Sequence, residues 1–308
     1  MKRFLYITAI FIGLALMASP QRGLDGAKGI CLGSGSVPTV SDYVQDGLLA
    51  MWDGIDNAGV GVHDDNAQYW VELVSGGANF PKPTLAEWKS NCLYTPDSQN
   101  QYVSLNPANY GSFVQSVDTK GYAAIVEARQ NLTMTVEFVF SVERFGADFQ
   151  DANPYWEIAP LGFLRYTEYN YSFWGIRKDG RLVLNPASDW SHARSAVMGP
   201  AIDPFGQTHY LSFRLAGIDE TTGVFNGDIF YYGKNVVNYR PKTSSSTYAY
   251  FRHDGTSENY TFRLNTTGGY IFTNIGSIYC IRIYTRPLSD AEIAYNSLID
   301  RLRFSLGQ

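Results

Sequence analysis

The chain has 308 residues, enough for one large domain with a full core. Hydrophobic residues are 45% and charged residues 17%, which excludes a disordered, charge-swollen chain. The formal net charge is -5 with no run of Lys and Arg, which excludes a nucleic-acid partner held through phosphate contacts. Aromatic residues reach 15%, and Tyr, Phe and Trp favour the half-buried surface of a pleated sheet, so strands are expected to dominate.

The first predicted element is a hydrophobic leader. Lys2 and Arg3 precede an apolar run from Phe4 to Met17. That run is shorter than the ~20 residues that span a bilayer. Small residues follow, which predicts a signal peptide over 1–18, cleaved after Ala18, and export to the periplasm, the cell surface or the medium. No transmembrane segment remains after cleavage; a retained anchor is the alternative. Cys31 lies too far beyond the run to be a lipidation site. Residues 19–40 are Gly- and Ser-rich without periodicity and are expected to form a flexible leader. One domain over 41–308 completes the chain. The three cysteines build no disulfide framework. With Cys31 in the leader, Cys92 and Cys280 are the expected pair, and three free thiols are the alternative. Their spacing fits no zinc motif.

Next comes LLAMWDGIDNAGVGVHDDNAQYWVEL, Leu48 to Leu73. A strand-like run ends at Trp52. Asp53, Asp56, Asn57, Asp64 and Asp65 follow before the chain returns at Tyr69 and Trp70. These are hard oxygen ligands of the kind Ca²⁺ takes, and Asp97 and Asn100 further on can add to them. The spacing is not that of an EF-hand, because Ile55 stands at the third position. Asp, Asn and Gly also build exposed bends with no metal at all. The turn is the preferred reading, so the segment is expected to be a rim loop.

Later segments alternate with period two. In LTMTVEFVFSV, Met134, Val136, Phe138, Phe140 and Val142 form an apolar face against Thr133, Thr135, Glu137 and Ser141. SFWGIRKDGRLVLN predicts a hairpin with Asp179-Gly180 as a two-residue turn. A second strand pair is expected around Gly233. Pro287 stops the last strand. Ser289 and Glu292 then form a capping box. Ala291, Ala294, Tyr295, Leu298 and Leu302 recur at helical spacing, which predicts a helix laying that stripe on the domain. Many short strands with one terminal helix make an all-β class, a sandwich or barrel.

The order of these segments resembles the laminin G-like, concanavalin A-like lectin/glucanase superfamily, in its single-domain exported bacterial form. GLLAMWDG resembles the first strand and SQNQYVSL the second. NLTMTVEFVFSV is similar to the central strand, and IRKDGRLVL and DIFYYGKNV to two hairpins. IYCIRIYTRPLSDAEIAYNSLIDRLRF resembles the closing strand and helix. The resemblance covers roughly Gly47 to Phe304. It implies a jelly-roll β-sandwich whose first and last strands, Leu48–Trp52 and Ile278–Ile283, lie side by side. It also implies that a calcium site would need loops beyond the acidic one.

Six Trp can be core or sugar platform. Trp52 and Trp174 fall within strand patterns and are expected inside. Trp70 and Trp88 are open to either use. Trp156 and Trp190 lie in polar, turn-rich stretches and are the candidate platform, with His192 and Arg194 as hydrogen-bonding neighbours. The superfamily's glucanases carry two Glu flanking an Asp on one strand. Here Glu137 and Glu143 have no Asp between them, and the four His (63, 192, 209, 253) match no catalytic motif. The expected function is therefore a non-catalytic extracellular module that binds carbohydrate or a surface ligand. A structural or adhesive surface protein is the alternative, and a glycoside hydrolase the third choice.

Overall fold

A computed structural model describes residues 37–75, 79–82, 86–96, 103–105, 133–145, 157–165, 174–177, 179–184, 197–219, 221–222, 224–240, 260–267 and 274–304. They belong to one compact unit, Ser36–Gln308. The class is all-β with one C-terminal helix, α1 (Asp290–Arg303).

Eight strands form the larger sheet. Its order is β14 (Lys234–Tyr239), β13 (Val224–Tyr231), β12 (Thr208–Asp219), β7 (Thr133–Phe145), β16 (Asn274–Tyr284), β5 (Cys92–Thr95) and β4 (Glu87–Lys89), with β1 (Leu48–Asp53) also on β16. β1 and β5 share one edge of β16: β1 takes Cys280–Tyr284 and β5 takes Gly276–Ile278. Trp52 faces Ile281, as expected for adjacent first and last strands. The smaller sheet runs β11 (Val197–Ala201), β10 (Arg181–Leu184), β9 (Trp174–Arg177), β8 (Glu157–Arg165), β15 (Tyr260–Thr267) and β6 (Val103–Leu105). β2 (Tyr69–Trp70) and β3 (Phe80–Pro81) pair separately. All these ladders are antiparallel.

The two sheets enclose one apolar core. Val136, Phe138 and Phe140 of β7 and Leu211, Phe213 and Leu215 of β12 meet Ile281 and Ile283 of β16 there. Ile176 of β9 and Leu182 of β10 enter from the smaller sheet. Each such side chain contributes roughly 1.5–3 kcal/mol by leaving water. The apolar alternation in β7 is therefore as the sequence predicts. Its polar half is not at a solvent face, because Thr135, Glu137 and Val139 are buried as well. They lie on the outer face of the larger sheet, which α1 covers.

α1 starts at the predicted capping box: Ser289 Oγ accepts from the Glu292 amide and Glu292 returns to the Ser289 amide. The predicted stripe is a correction. Leu298 and Leu302 are 39% and 40% exposed, and Ala291 and Ala294 face solvent too. The buried side is Ile293, Asn296, Ser297, Ile299, Asp300 and Arg303, four of them polar or charged. The helix turns this side inward because the sheet beneath it carries the charges that match.

Of the two expected hairpins, the one around Gly233 forms as expected and the turn at Asp179-Gly180 differs. In the β9–β10 ladder Ile176 faces Leu182, leaving three residues between Arg177 and Arg181, not two, with Gly180 at φ 79°. A three-residue loop needs a left-handed residue at its end, which Gly180 supplies. The two-residue turn with both φ positive is Tyr232-Gly233 (φ 50° and 73°), joining β13 to β14. Gly233 sits against α1, where a Cβ would lie 2.9 Å from Ala294 Cα. Tyr232 is held in this costly conformation by its hydroxyl, which donates to the Thr208 carbonyl, and by its ring against Tyr210.

Candidate functional site

The acidic loop leaves β1 at Asp53 and is built as a turn. Asp53 Oδ1 accepts from the amides of Ile55 (2.8 Å) and Asp56 (3.2 Å). Asn57, fully buried, bonds both ways across the loop: its Oδ1 accepts from the Asp64 amide and its Nδ2 donates to the Asp64 carbonyl. Asp64 Oδ1 accepts from the Asn66 amide, and Asp65 meets His63 Nε2 at 3.0 Å. Two tryptophans hold the loop from below. Trp70 Nε1 donates to the Asp53 carbonyl and Trp88 Nε1 to the Ala67 carbonyl. The loop closes on Trp70 because that ring is core, packed edge-on against Trp88 at 5.7 Å.

The carboxylates do not converge outward on a cation. Asp53 is fully buried, and its Oδ2 accepts from Arg303 Nε at 2.7 Å. Arg303 Nη2 stands 3.2 Å from Asp56 Oδ2, an ion-pair separation without a well-aligned hydrogen bond. Arg303 comes from the last turn of α1. The positive charge these two aspartates share is thus the chain's own. Among the described residues no group of three or more His, Cys, Asp and Glu is placed to hold a metal. Asp97 lies outside the described residues.

A second ionic cluster lies under the middle of α1. Arg282 of β16 is 1% exposed and grips Asp300 with two bonds of 2.6 and 2.7 Å. Its Nε donates to Glu137 Oε2 at 2.9 Å. Asn296 donates to Glu137 and to the Tyr284 hydroxyl, and Ser212 donates to Glu137. Burial pushes the Glu137 carboxyl above its ordinary range against the pull of Arg282. Burial does the same to Asp53 against Arg303. Glu137 is held inside the seam by Arg282, Asn296 and Ser212. Glu143, further along the same strand, is exposed on the Tyr94 hydroxyl at 3.1 Å.

The expected Cys92–Cys280 bridge is not formed; both are buried free thiols. Leu93 faces Ile278 in the ladder, so Cys92 and Cys280 are one residue out of register. Cys280 Sγ instead accepts from Arg282 Nη1 at 3.2 Å. Trp52 is core as expected, and Trp70 and Trp88 join it. Trp156, Trp190, His192 and Arg194 lie outside the described residues. His209 packs on Phe140 with Nε2 3.0 Å from the Pro204 carbonyl, and burial lowers its pKa. Among the described residues no helix is long and apolar enough to cross a membrane.

No family model matches the chain, and no curated protein does. Solved structures do. Trypanosoma rangeli sialidase aligns over 86% of this chain and 34% of its own, at 13% identity and a TM-score of 0.51. The same sialidase in complex with the inhibitor DANA aligns over 87% and 34%, at 13% identity and a TM-score of 0.50. A mutant of HCR/D gives 10% identity over 84% and 52%, at a TM-score of 0.46, which supports nothing further. The chain spans about a third of the length of the sialidase structures it matches. At such identity the likeness concerns the fold alone.

Proposed function

We propose that this chain is an exported, non-catalytic binding module, a jelly-roll sandwich of the concanavalin A-like kind that takes carbohydrate or another surface ligand. One observation carries the non-catalytic part. Each buried carboxylate whose surroundings are described is engaged in holding the fold. Asp53 and Asp56 sit on Arg303, Glu137 and Asp300 on Arg282, and Asp228 on Arg214 and Arg240; Glu72 accepts from the amides of Met51, Val74 and Ser75. Most glycosidases need two carboxylates free to act as acid and nucleophile or base; sialidases, with a tyrosine nucleophile, are an exception. The likeness to sialidase structures supports a fold used near glycans, and function still depends on the site. Residues 1–18 serve as signal peptide and the following stretch as leader, which ends earlier than position 40 because Pro38 and Val40 already pack on α1 with the domain; the signal peptide directs the chain to the periplasm, the cell surface or the medium.

Trp156 and Trp190 are the proposed sugar platform, with His192 and Arg194 reaching hydroxyls. A glycan array with the mature chain tests this. Binding to a defined glycan class, lost at least tenfold in Trp156→Ala or Trp190→Ala, is expected. No binding to any glycan, with retained binding to a cell-surface protein fraction, would replace it by the adhesive reading. That second reading draws on Val60 and Val62, 63% and 51% exposed at the tip of the tightly bonded loop.

A further inference from the structure

The chain before β1 runs across α1. Val37–Gln45 contains a short 3-10 turn at Val40–Asp42, capped by Thr39. Val40 and Tyr43 are buried in one cluster with Ile299 and Phe304. This strap is tied to the helix at three places. Arg303 donates to the Pro38 carbonyl, the Tyr43 hydroxyl donates to Asp300 Oδ1 at 2.8 Å, and the Val44 amide donates to Asn296 Oδ1 at 3.0 Å. The Tyr43 ring also covers the Arg282 guanidinium at 4.2 Å.

α1 meets the sheet through two apolar anchors, Ile293 and Ile299, and through a set of charges between and beyond them, and the charged contacts are strong only while water is kept out. Once hydrated, the same pairs fall to the small value of surface ion pairs. Two guanidiniums, Arg282 and Arg303, face four carboxylates: Glu137, Asp300, Asp53 and Asp56. The surplus of carboxylates costs more in a dry seam than in a wet one, so it favours opening to water once the strap lifts. The core between the sheets is independent of it, since no residue of the strap or of α1 belongs to that cluster.

We infer that the strap Val37–Gln45 is a releasable seal on the ionic seam. While it lies on α1 the seam is dry and the helix is locked. When it lifts, water reaches Arg282 and Asp300, and α1 detaches from a sandwich that stays folded. The outer face of β7, β12 and β16 is then uncovered. This is local unfolding confined to one unit of the structure.

Hydrogen exchange of the full chain tests the inference, comparing wild type with Tyr43→Ala and Tyr43→Phe. In Tyr43→Ala the α1 amides are expected to exchange at least tenfold faster, with those of β7 and the inner part of β16 unchanged. In Tyr43→Phe, which keeps the ring and loses only the donor to Asp300, the same selective change is expected at smaller size. An α1 that exchanges as in wild type in both variants overturns the inference. So does acceleration of α1 and β7 by one common factor, because the helix would then open only with the whole domain. Should Tyr43→Ala fail to fold, Tyr43→Phe decides between these outcomes alone.

Discussion

The two faces of the larger sheet are held by different physics. The inner face is apolar apart from His209 near the start of β12, with Val136, Phe138, Phe213 and Ile281 packed in the core between the sheets. The outer face, one residue away along the same strands, carries Glu137, Ser212 and Arg282 under a helix that answers with Asn296 and Asp300. Apolar packing is non-directional and tolerates exchange of similar shapes. A buried guanidinium with two carboxylates tolerates no change of one partner, because the others are left charged and unpaired. Strands of one sheet can thus be permissive on one side and exacting on the other.

The largest effect should come from breaking the exacting side. Arg282→Met strands Glu137 and Asp300 in the interior, and a loss of about 3–5 kcal/mol is expected in chemical denaturation. Replacing Glu137, Arg282 and Asp300 together with Met or Leu should recover most of that loss. If the triple replacement is as unstable as the single one, the contrast between the faces is wrong. Arg303→Ala comes next, with about 3 kcal/mol expected because Asp53 is left fully buried without its partner. On the permissive face, Ile281→Val should cost only about 0.5–1.5 kcal/mol.

Proton uptake sharpens the same comparison with smaller effects. The carboxyls of Glu137 and Asp53 are raised in the folded state, so their contribution is full below the ordinary carboxylate pKa and is lost as pH rises through the raised values. Glu137→Gln should flatten that part of a Tm-against-pH curve. His209 has the opposite sign. Its folded pKa is depressed, so stability is lost as pH falls below about 6.5, where the unfolded chain takes up the proton. Wild type should therefore lose more Tm than His209→Gln between pH 7 and 5; parallel curves would refute a buried neutral imidazole. The smallest effects are expected at the loop and the thiols. Millimolar calcium should leave Tm unmoved, Asp64→Ala should do the same, and a reductant should shift nothing because Cys92 and Cys280 are free thiols.

What was legible in the sequence follows this division. The inner alternation of β7 and the Ser289–Glu292 cap are signalled by residues close in sequence, whereas the pairing of Leu48–Trp52 with the distant last strand comes from the resemblance in segment order. The inward side of α1 was signalled by neither. Leu298 and Leu302 make the more apolar stripe, and periodicity alone favours burying it. The choice was decided by Arg282 and Glu137, the latter 145 residues before Arg282 and 159 before Asn296. One clue was present: Arg282 alternates with Ile281 and Ile283, which places a cation on the face away from the core. The local turn bonds of the acidic loop follow from its Asp and Asn residues, but the partner of Asp53 cannot be read from the loop itself. The candidate sugar platform lies outside the described residues, so its reading still rests on sequence.

The bond from Arg303 to Asp53 has a consequence for the order in which the chain matures. The two residues are 250 positions apart, and β1 pairs with a strand that is almost as distant. A chain emerging from its N-terminus carries Asp53 and Asp56 without a counter-charge until nearly everything else has been made. Contacts of such long range form late, and the strand that β1 needs arrives only just before the helix that neutralises its end. Until then the first loop stays hydrated and open. The domain locks when its last helix arrives, so the charge that closes the first loop is among the last parts of the fold to be supplied.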